Sequence, residues 1–224
     1  MNKKKICLLS IYLSWALLFF AAPVSGEENG AFKTREDTEL WQAISIDIKP
    51  VEKLKVELES QTRYYNNVMS LKSTFSEIGI GYRLNRLTGF SVHYRLTARG
   101  TGIRHRFDAD MQLNFKAGEY SISNRSRIQR EYIENVRSIY WFRNRLKIKL
   151  CKSRNLLPFV AGEMFRPLAT EPDDRREYRL TLGTDWKMKK RITARFFYHH
   201  HKVKKKNSSE TIRIIGLKFN YSIK

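Results

Sequence analysis

From Leu40 onward the chain alternates apolar and polar positions with period two, the pattern of strands that bury one face and wet the other. Ile44, Ile46 and Ile48 oppose Ser45, Asp47 and Lys49, while Ile78, Ile80 and Tyr82 oppose Glu77, Gly79 and Arg83. Phe90, Val92, Tyr94 and Leu96 oppose Ser91, His93, Arg95 and Thr97. The cleanest run is RHRFDADMQLNF, residues 104–115: Phe107, Ala109, Met111, Leu113 and Phe115 share one side, Arg106, Asp108, Asp110, Gln112 and Asn114 the other. Comparable segments recur to residue 223 and make eleven patterned strands, with no helical period beyond the amino terminus. The expected fold class is all-β.

The same pattern has two readings. A soluble lipocalin-like barrel turns the apolar side inward around an apolar ligand, whereas a membrane barrel turns it to lipid and lines its lumen with charge. Several segments run roughly 10 to 13 residues, about what a tilted strand needs to cross a bilayer and longer than most soluble strands. Connections alternate between tight ones near Pro50, Asn85, Ala117 and Met188 and long ones at 65–72, 98–104, 132–138, 166–176 and 201–210. Trp41, Tyr64, Tyr94, Tyr120, Tyr140, Trp186 and Tyr198 fall at strand ends, as interfacial girdles do. These features predict an antiparallel up-and-down outer-membrane β-barrel of ten to twelve strands. Twelve is favoured because single-chain bacterial barrels have even counts, with residues 28–38 supplying the added strand.

Residues 1–26 have the layout of a signal peptide: Lys3, Lys4 and Lys5, an apolar run from Ile6 to Val24, then Gly26 before the acidic Glu27. A retained anchor helix is the competing reading. The expected organisation is 1–26 signal peptide, 27–38 amino-terminal segment and 39–224 barrel. Cleavage removes Cys7 and leaves Cys151 as the single thiol, so no intramolecular disulfide is expected.

The formal charge is +21, and removing residues 1–26 takes away three lysines and no acid, leaving +18. An exported chain with that balance points to anionic surfaces or solutes rather than nucleic acid. On the polar side of the strands, Arg63, Arg83, Arg95, Arg106, Arg125, Arg127, Arg143, Arg145, Arg179 and Arg195, with Lys147 and Lys149, outnumber Asp47, Glu57, Glu59, Glu77, Asp108, Asp110, Glu163 and Asp185. If that side is the lumen, the charges either pair across strands and fill the barrel or form a basic constriction that selects anions.

The last segment, IGLKFNYSIK, carries Gly216, Phe219 and Tyr221 and looks like the carboxy-terminal signal read by barrel-assembly machinery. It departs from that signal at Ile214, a place usually polar, and in ending on Lys224. A larger part of the chain, from about Glu39 to the end, resembles the DUF2490 family of bacterial envelope proteins. The likeness is carried by Leu40-Trp41, Gln61-Thr62-Arg63, Gly79-Ile80-Gly81-Tyr82, His93-Tyr94-Arg95, Asn124-Arg125-Ser126-Arg127, Phe142-Arg143-Asn144-Arg145 and the run Leu157 to Phe165, in that order. The resemblance implies a fold similar to outer-membrane barrels and no established activity, substrate or catalytic residue.

His199, His200 and His201 are the one conspicuous metal-type cluster, but neighbouring strand residues point to opposite faces, so only His199 and His201 can share a side. No metal and no cofactor is expected. Lipid-modifying barrel enzymes place a serine and a histidine on the lipid face, and no such pairing stands out here, so no enzymatic activity is expected. Three functional readings remain. The first is a closed or narrow basic-lined scaffold or interaction barrel, contacting outer-membrane lipid and lipopolysaccharide. The second is a passive channel preferring small anionic solutes, and the third is the soluble periplasmic binder.

Overall fold

A computed structural model describes residues 33–133, 136–168 and 175–223. The expected signal peptide and most of the amino-terminal segment lie outside the described residues. Eleven strands follow one another: β1 (Lys33–Val51), β2 (Leu54–Tyr65), β3 (Ser70–Arg83), β4 (Thr88–Arg99), β5 (Gly102–Ala117), β6 (Tyr120–Ile133), β7 (Val136–Leu150), β8 (Leu156–Pro167), β9 (Arg176–Lys189), β10 (Ile192–Lys205) and β11 (Ser208–Ile223). Each pairs antiparallel with its neighbour in sequence, and the sheet closes on itself by pairing β1 with β11.

The segment RHRFDADMQLNF shows which side of the sheet is inside. Phe107 is 55 % exposed and Asp108 4 %, so the apolar side of β5 faces out and the charged side faces in. The same sense holds around the barrel, where Ile44, Ile80, Val92, Ile128, Leu182 and Ile215 all stand outward and exposed. In water such a belt would be an aggregation surface, and against lipid it is the stable arrangement. The arrangement excludes the lipocalin-like reading, which needs the reverse.

The strand count is eleven among the described residues, within the expected range but not the favoured twelve. Part of the segment expected to add a strand, residues 33–38, is instead the start of β1, which is 19 residues long and carries the chain straight into the Trp41 strand. An odd number of strands joined by successive antiparallel hairpins leaves the first and last running the same way, so closure must be parallel. Lys33 to Ile48 pair in unbroken register with Ser208 to Ile223. That seam removes the free edges that an open sheet would present.

Most of the expected long connections are strand. β10 and β11 continue to a hairpin at 206–207, and β4 and β5 to one at 100–101. Only the β8–β9 connection, 168–175, stays long. The polar residues that read as loop keep the ladder pairing, with Lys202 and Lys204 turned outward at the rim, Ser209 buried and Glu210 lining the lumen. Their charge masked a strand, because period two is hard to see where both faces are wet.

The carboxy-terminal glycine has a packing role. Gly216 faces the lumen opposite Phe197, whose ring lies over it, and a Cβ built there would fall inside that ring. Gly183 receives Phe159 likewise, with its would-be Cβ 2.7 Å from both the ring and the Phe196 carbonyl. Phe197 in turn packs on Trp41, Ile212 and Ile214, an apolar cluster inside the barrel directly against the parallel seam. Phe219 and Tyr221 alternate outward, 40 % and 39 % exposed.

Candidate functional site: a charged lumen

Because side chains alternate, the inward positions of the strands deliver many polar groups to the lumen, and the closed sheet brings them within ion-pairing distance. Glu163 on β8 accepts from three guanidiniums, Arg143 at 3.0 Å, Arg125 at 3.1 Å and Arg179 at 3.5 Å. Asp108 and Asp110 hold Arg127 at 2.5 and 2.6 Å, and Asp108 also takes Arg106 at 3.0 Å. Glu77 holds Arg95 at 2.6 Å and Arg106 at 3.1 Å. Nearer the carboxy-terminal end of the barrel, Asp185 takes Arg195 at 2.6 Å and Lys149 at 2.5 Å, and Lys218 bridges Glu57 and Glu59.

The expected lumen residues therefore converge as a network. Arg83 sits at the rim, where it lines the mouth between β1 and β4, and Asp47 pairs with Lys55 at 3.1 Å near the same end. Three expected basic residues, Arg63, Arg145 and the rim residue Arg83, have no carboxylate within 4 Å among the described residues. Arg63 donates to Gln61 at 2.8 Å and lies 4.0 Å over the Trp41 ring, and Arg145 has its Nε buried without a hydrogen-bond partner.

Trp41 corrects an expectation. It is 8 % exposed and lines the lumen rather than an interfacial girdle, donating from Nε1 to Glu39 at 2.7 Å. Tyr120, Tyr140, Trp186 and Tyr198 do stand outward. Inside, Phe75, Phe159, Phe165 and Trp141 are buried with Trp41, and the cations stack on them: Arg95 at 3.5 Å over Phe75, Lys147 at 3.7 Å over Phe159 and Arg143 at 4.4 Å over Phe165. Such contacts let a cation lie flat against the aromatic wall. The sequence holds the signal for them, since Trp41 shares parity with Glu39, Phe75 with Glu77, and Phe159 and Phe165 with Glu163.

The histidines divide as strand geometry requires. His199 and His201 face the lumen, His199 beside Thr181 at 2.8 Å and His201 beside Glu177 at 3.0 Å, whereas His200 faces out.

Among the described residues, several cavities lie inside the barrel. A central chamber of about 660 Å³ is walled by fourteen Arg and Lys residues against eight Glu, and includes Glu131, Lys72, Arg99, Arg104 and Arg175, none of them expected as lumen residues. Two smaller pockets, about 310 and 300 Å³, adjoin the other rim. Arg125 borders all three and Arg145 borders the chamber and the second pocket, so guanidiniums stand where the cavities meet.

The family model described as a protein of unknown function, DUF2490, matches residues 38–211. The chain belongs to the DUF2490 family. No curated protein matches this DUF2490 chain. Among solved structures it is similar in fold to a structure titled NanC porin, with a TM-score of 0.51 at 9 % identity, covering 70 % of this chain and 78 % of that one. An anion-selective porin from Comamonas acidovorans aligns with a TM-score of 0.41 at 11 % identity, covering 76 % of this chain and 53 % of the other. The DUF2490 barrel is thus porin-like in architecture.

Proposed function

We propose that this DUF2490 protein is an outer-membrane barrel whose basic lumen passes small anions. The observation that carries the reading is the chamber wall, where cations exceed carboxylates and Arg63 and Arg145 have no carboxylate within 4 Å among the described residues. Glu163 and Asp185, each shared among several cations, are already saturated. A net positive, low-dielectric wall raises the local anion concentration and sets a barrier to cations. The likeness in fold to a porin agrees with a passive route.

The membrane assignment is supported by the continuous outward apolar belt and by the patterned leader in the sequence. At the rim of the β10–β11 hairpin, Lys202, Lys204 and Arg213 stand outward beyond that belt, chemistry suited to the phosphates of lipopolysaccharide. Phe219 and Tyr221, outward on the last strand, are available to barrel-assembly machinery.

Conductance of the purified protein in a planar bilayer under a salt gradient tests the reading. A current with an anion-side reversal potential is expected. A cation-selective current would overturn it, and no current would favour the closed scaffold, in which the ion pairs are purely structural.

A further inference from the structure

The pocket of about 300 Å³ between β5, β6 and β7 is walled without a single carboxylate or apolar side chain. Its cations are Arg125, Arg145, Lys147 and Lys149, and the remaining wall is hydroxyl and amide. In the register, Arg125 lies directly opposite Arg145, and Ser123 and Ser121 lie opposite Lys147 and Lys149. Like charges facing each other across a ladder destabilise a sheet unless something between them offsets the repulsion.

The carboxylates that adjoin this wall are committed elsewhere. Glu163 holds Arg125 but also Arg143 and Arg179, while Asp185 holds Lys149 and Arg195 and leaves Lys147 at 3.9 Å. Arg145 has no ion-pair partner among the described residues, and its Nε is buried and unbonded. Arg145 thus borders the pocket with no carboxylate on its guanidinium, although its Nε is closed off from the pocket. The two terminal Nη groups of a guanidinium form a fork that grips two oxygens of one oxyanion.

From this geometry we infer that the pocket is a binding site for a phosphate-type dianion, held in the fork of Arg145 with Lys147 and the Ser123 hydroxyl completing its shell. The inference rests on the reading of the lumen as an anion route and names the class of solute that pauses there. A compact tetrahedral dianion fits better than a monovalent ion because it can neutralise the Arg145 and Lys147 charges at once. Either inorganic phosphate or a small phosphomonoester presents that group.

The test is titration of the purified full-length barrel with inorganic phosphate, followed by phosphorus NMR and calorimetry at constant ionic strength set with chloride. Saturable binding is expected, weakened at least tenfold in Arg145→Gln and in Ser123→Asp. The second variant places a carboxylate opposite Lys147 and so should keep the strand ladder intact, which circular dichroism of both variants checks. Glycerol phosphate run in parallel separates the two sources: equal affinity means that the site reads the phosphoryl group alone, and a tighter fit means a monoester. Malonate binding as tightly as phosphate would overturn the phosphoryl assignment. Phosphate behaving as chloride does, or binding unchanged in both folded variants, would overturn the site. Anion current without saturable phosphate binding refutes the site alone, whereas phosphate binding without current refutes the channel reading and leaves the site standing.

Discussion

Replacing Glu163 by glutamine separates the structural and functional roles of the lumen charges. Glu163 is 4 % exposed and accepts from Arg125, Arg143 and Arg179 at 3.0 to 3.5 Å. Glutamine keeps one acceptor oxygen, so about two charge-assisted bonds are lost, each worth roughly 1.5 to 3 kcal/mol to a charged partner. The three guanidiniums are 12 to 26 % exposed to the lumen, and water there recovers part of the loss. We expect E163Q to destabilise the barrel by about 3 kcal/mol, in line with breaking other buried pairs. The control is Glu36→Gln, whose pair with Arg213 is 57 and 49 % exposed and should cost under about 1 kcal/mol. Stability is read from the denaturant midpoint in detergent. The same E163Q barrel, with one negative charge fewer at the junction of the cavities, should shift its reversal potential further to the anion side. An E163Q variant as stable as the wild type would refute the claim that this carboxylate holds the β6, β7 and β9 arginines together. A shift toward cations would refute the proposed origin of selectivity.

Phe107→Arg, at a belt position 55 % exposed, should cost roughly 2 to 4 kcal/mol in lipid by denaturant titration if β5 crosses a bilayer there, and almost nothing in a soluble barrel. Gly216→Ala should lower refolding yield and stability by about 1 to 3 kcal/mol through collision with the Phe197 ring, and Phe197→Ala in the same chain should recover part of that loss. Cys151 is exposed in the β7–β8 connection, at the same end as Ile223, so an impermeant maleimide should label it in permeabilised cells and not in intact ones if that end is periplasmic.

The membrane sense of the sheet was legible because the strands that cross the belt have one face in lipid and one face charged, a contrast that period two exposes directly, as β5 does with Phe107 against Asp108. Where both faces meet water the contrast vanishes, which is why 201–210 read as loop although Val203 and Ile212 still point inward. Most of the expected lumen charges line the cavities. The lumen aromatics were hidden for the opposite reason: an inward Phe165 among outward apolar residues breaks no local rule, and only its parity with Glu163 betrays it. Pairing of a given carboxylate with a given arginine depends on strand stagger, which no single segment encodes. The three-way sharing of Glu163 among β6, β7 and β9 could not be read from their separate sequences.

The parallel seam ties these features together. Parallel pairing is slightly weaker per residue than antiparallel, yet β1 and β11 sustain it over the whole stretch from Lys33 to Ile48. The compensation lies inside: Trp41, Ile212 and Ile214 are buried against the seam, with Ile214 fully so, and Phe197 closes over Gly216 beside them. That apolar patch takes up part of the β10–β11 inner wall, which carries Arg195 and Lys218 as its chamber cations. The cations are concentrated across the barrel on β4 to β7, where Arg95, Arg106, Arg125, Arg127, Arg143 and Arg145 stand. The apolar cluster thus lies against the parallel seam, while eight of the fourteen chamber cations stand on β4 to β7.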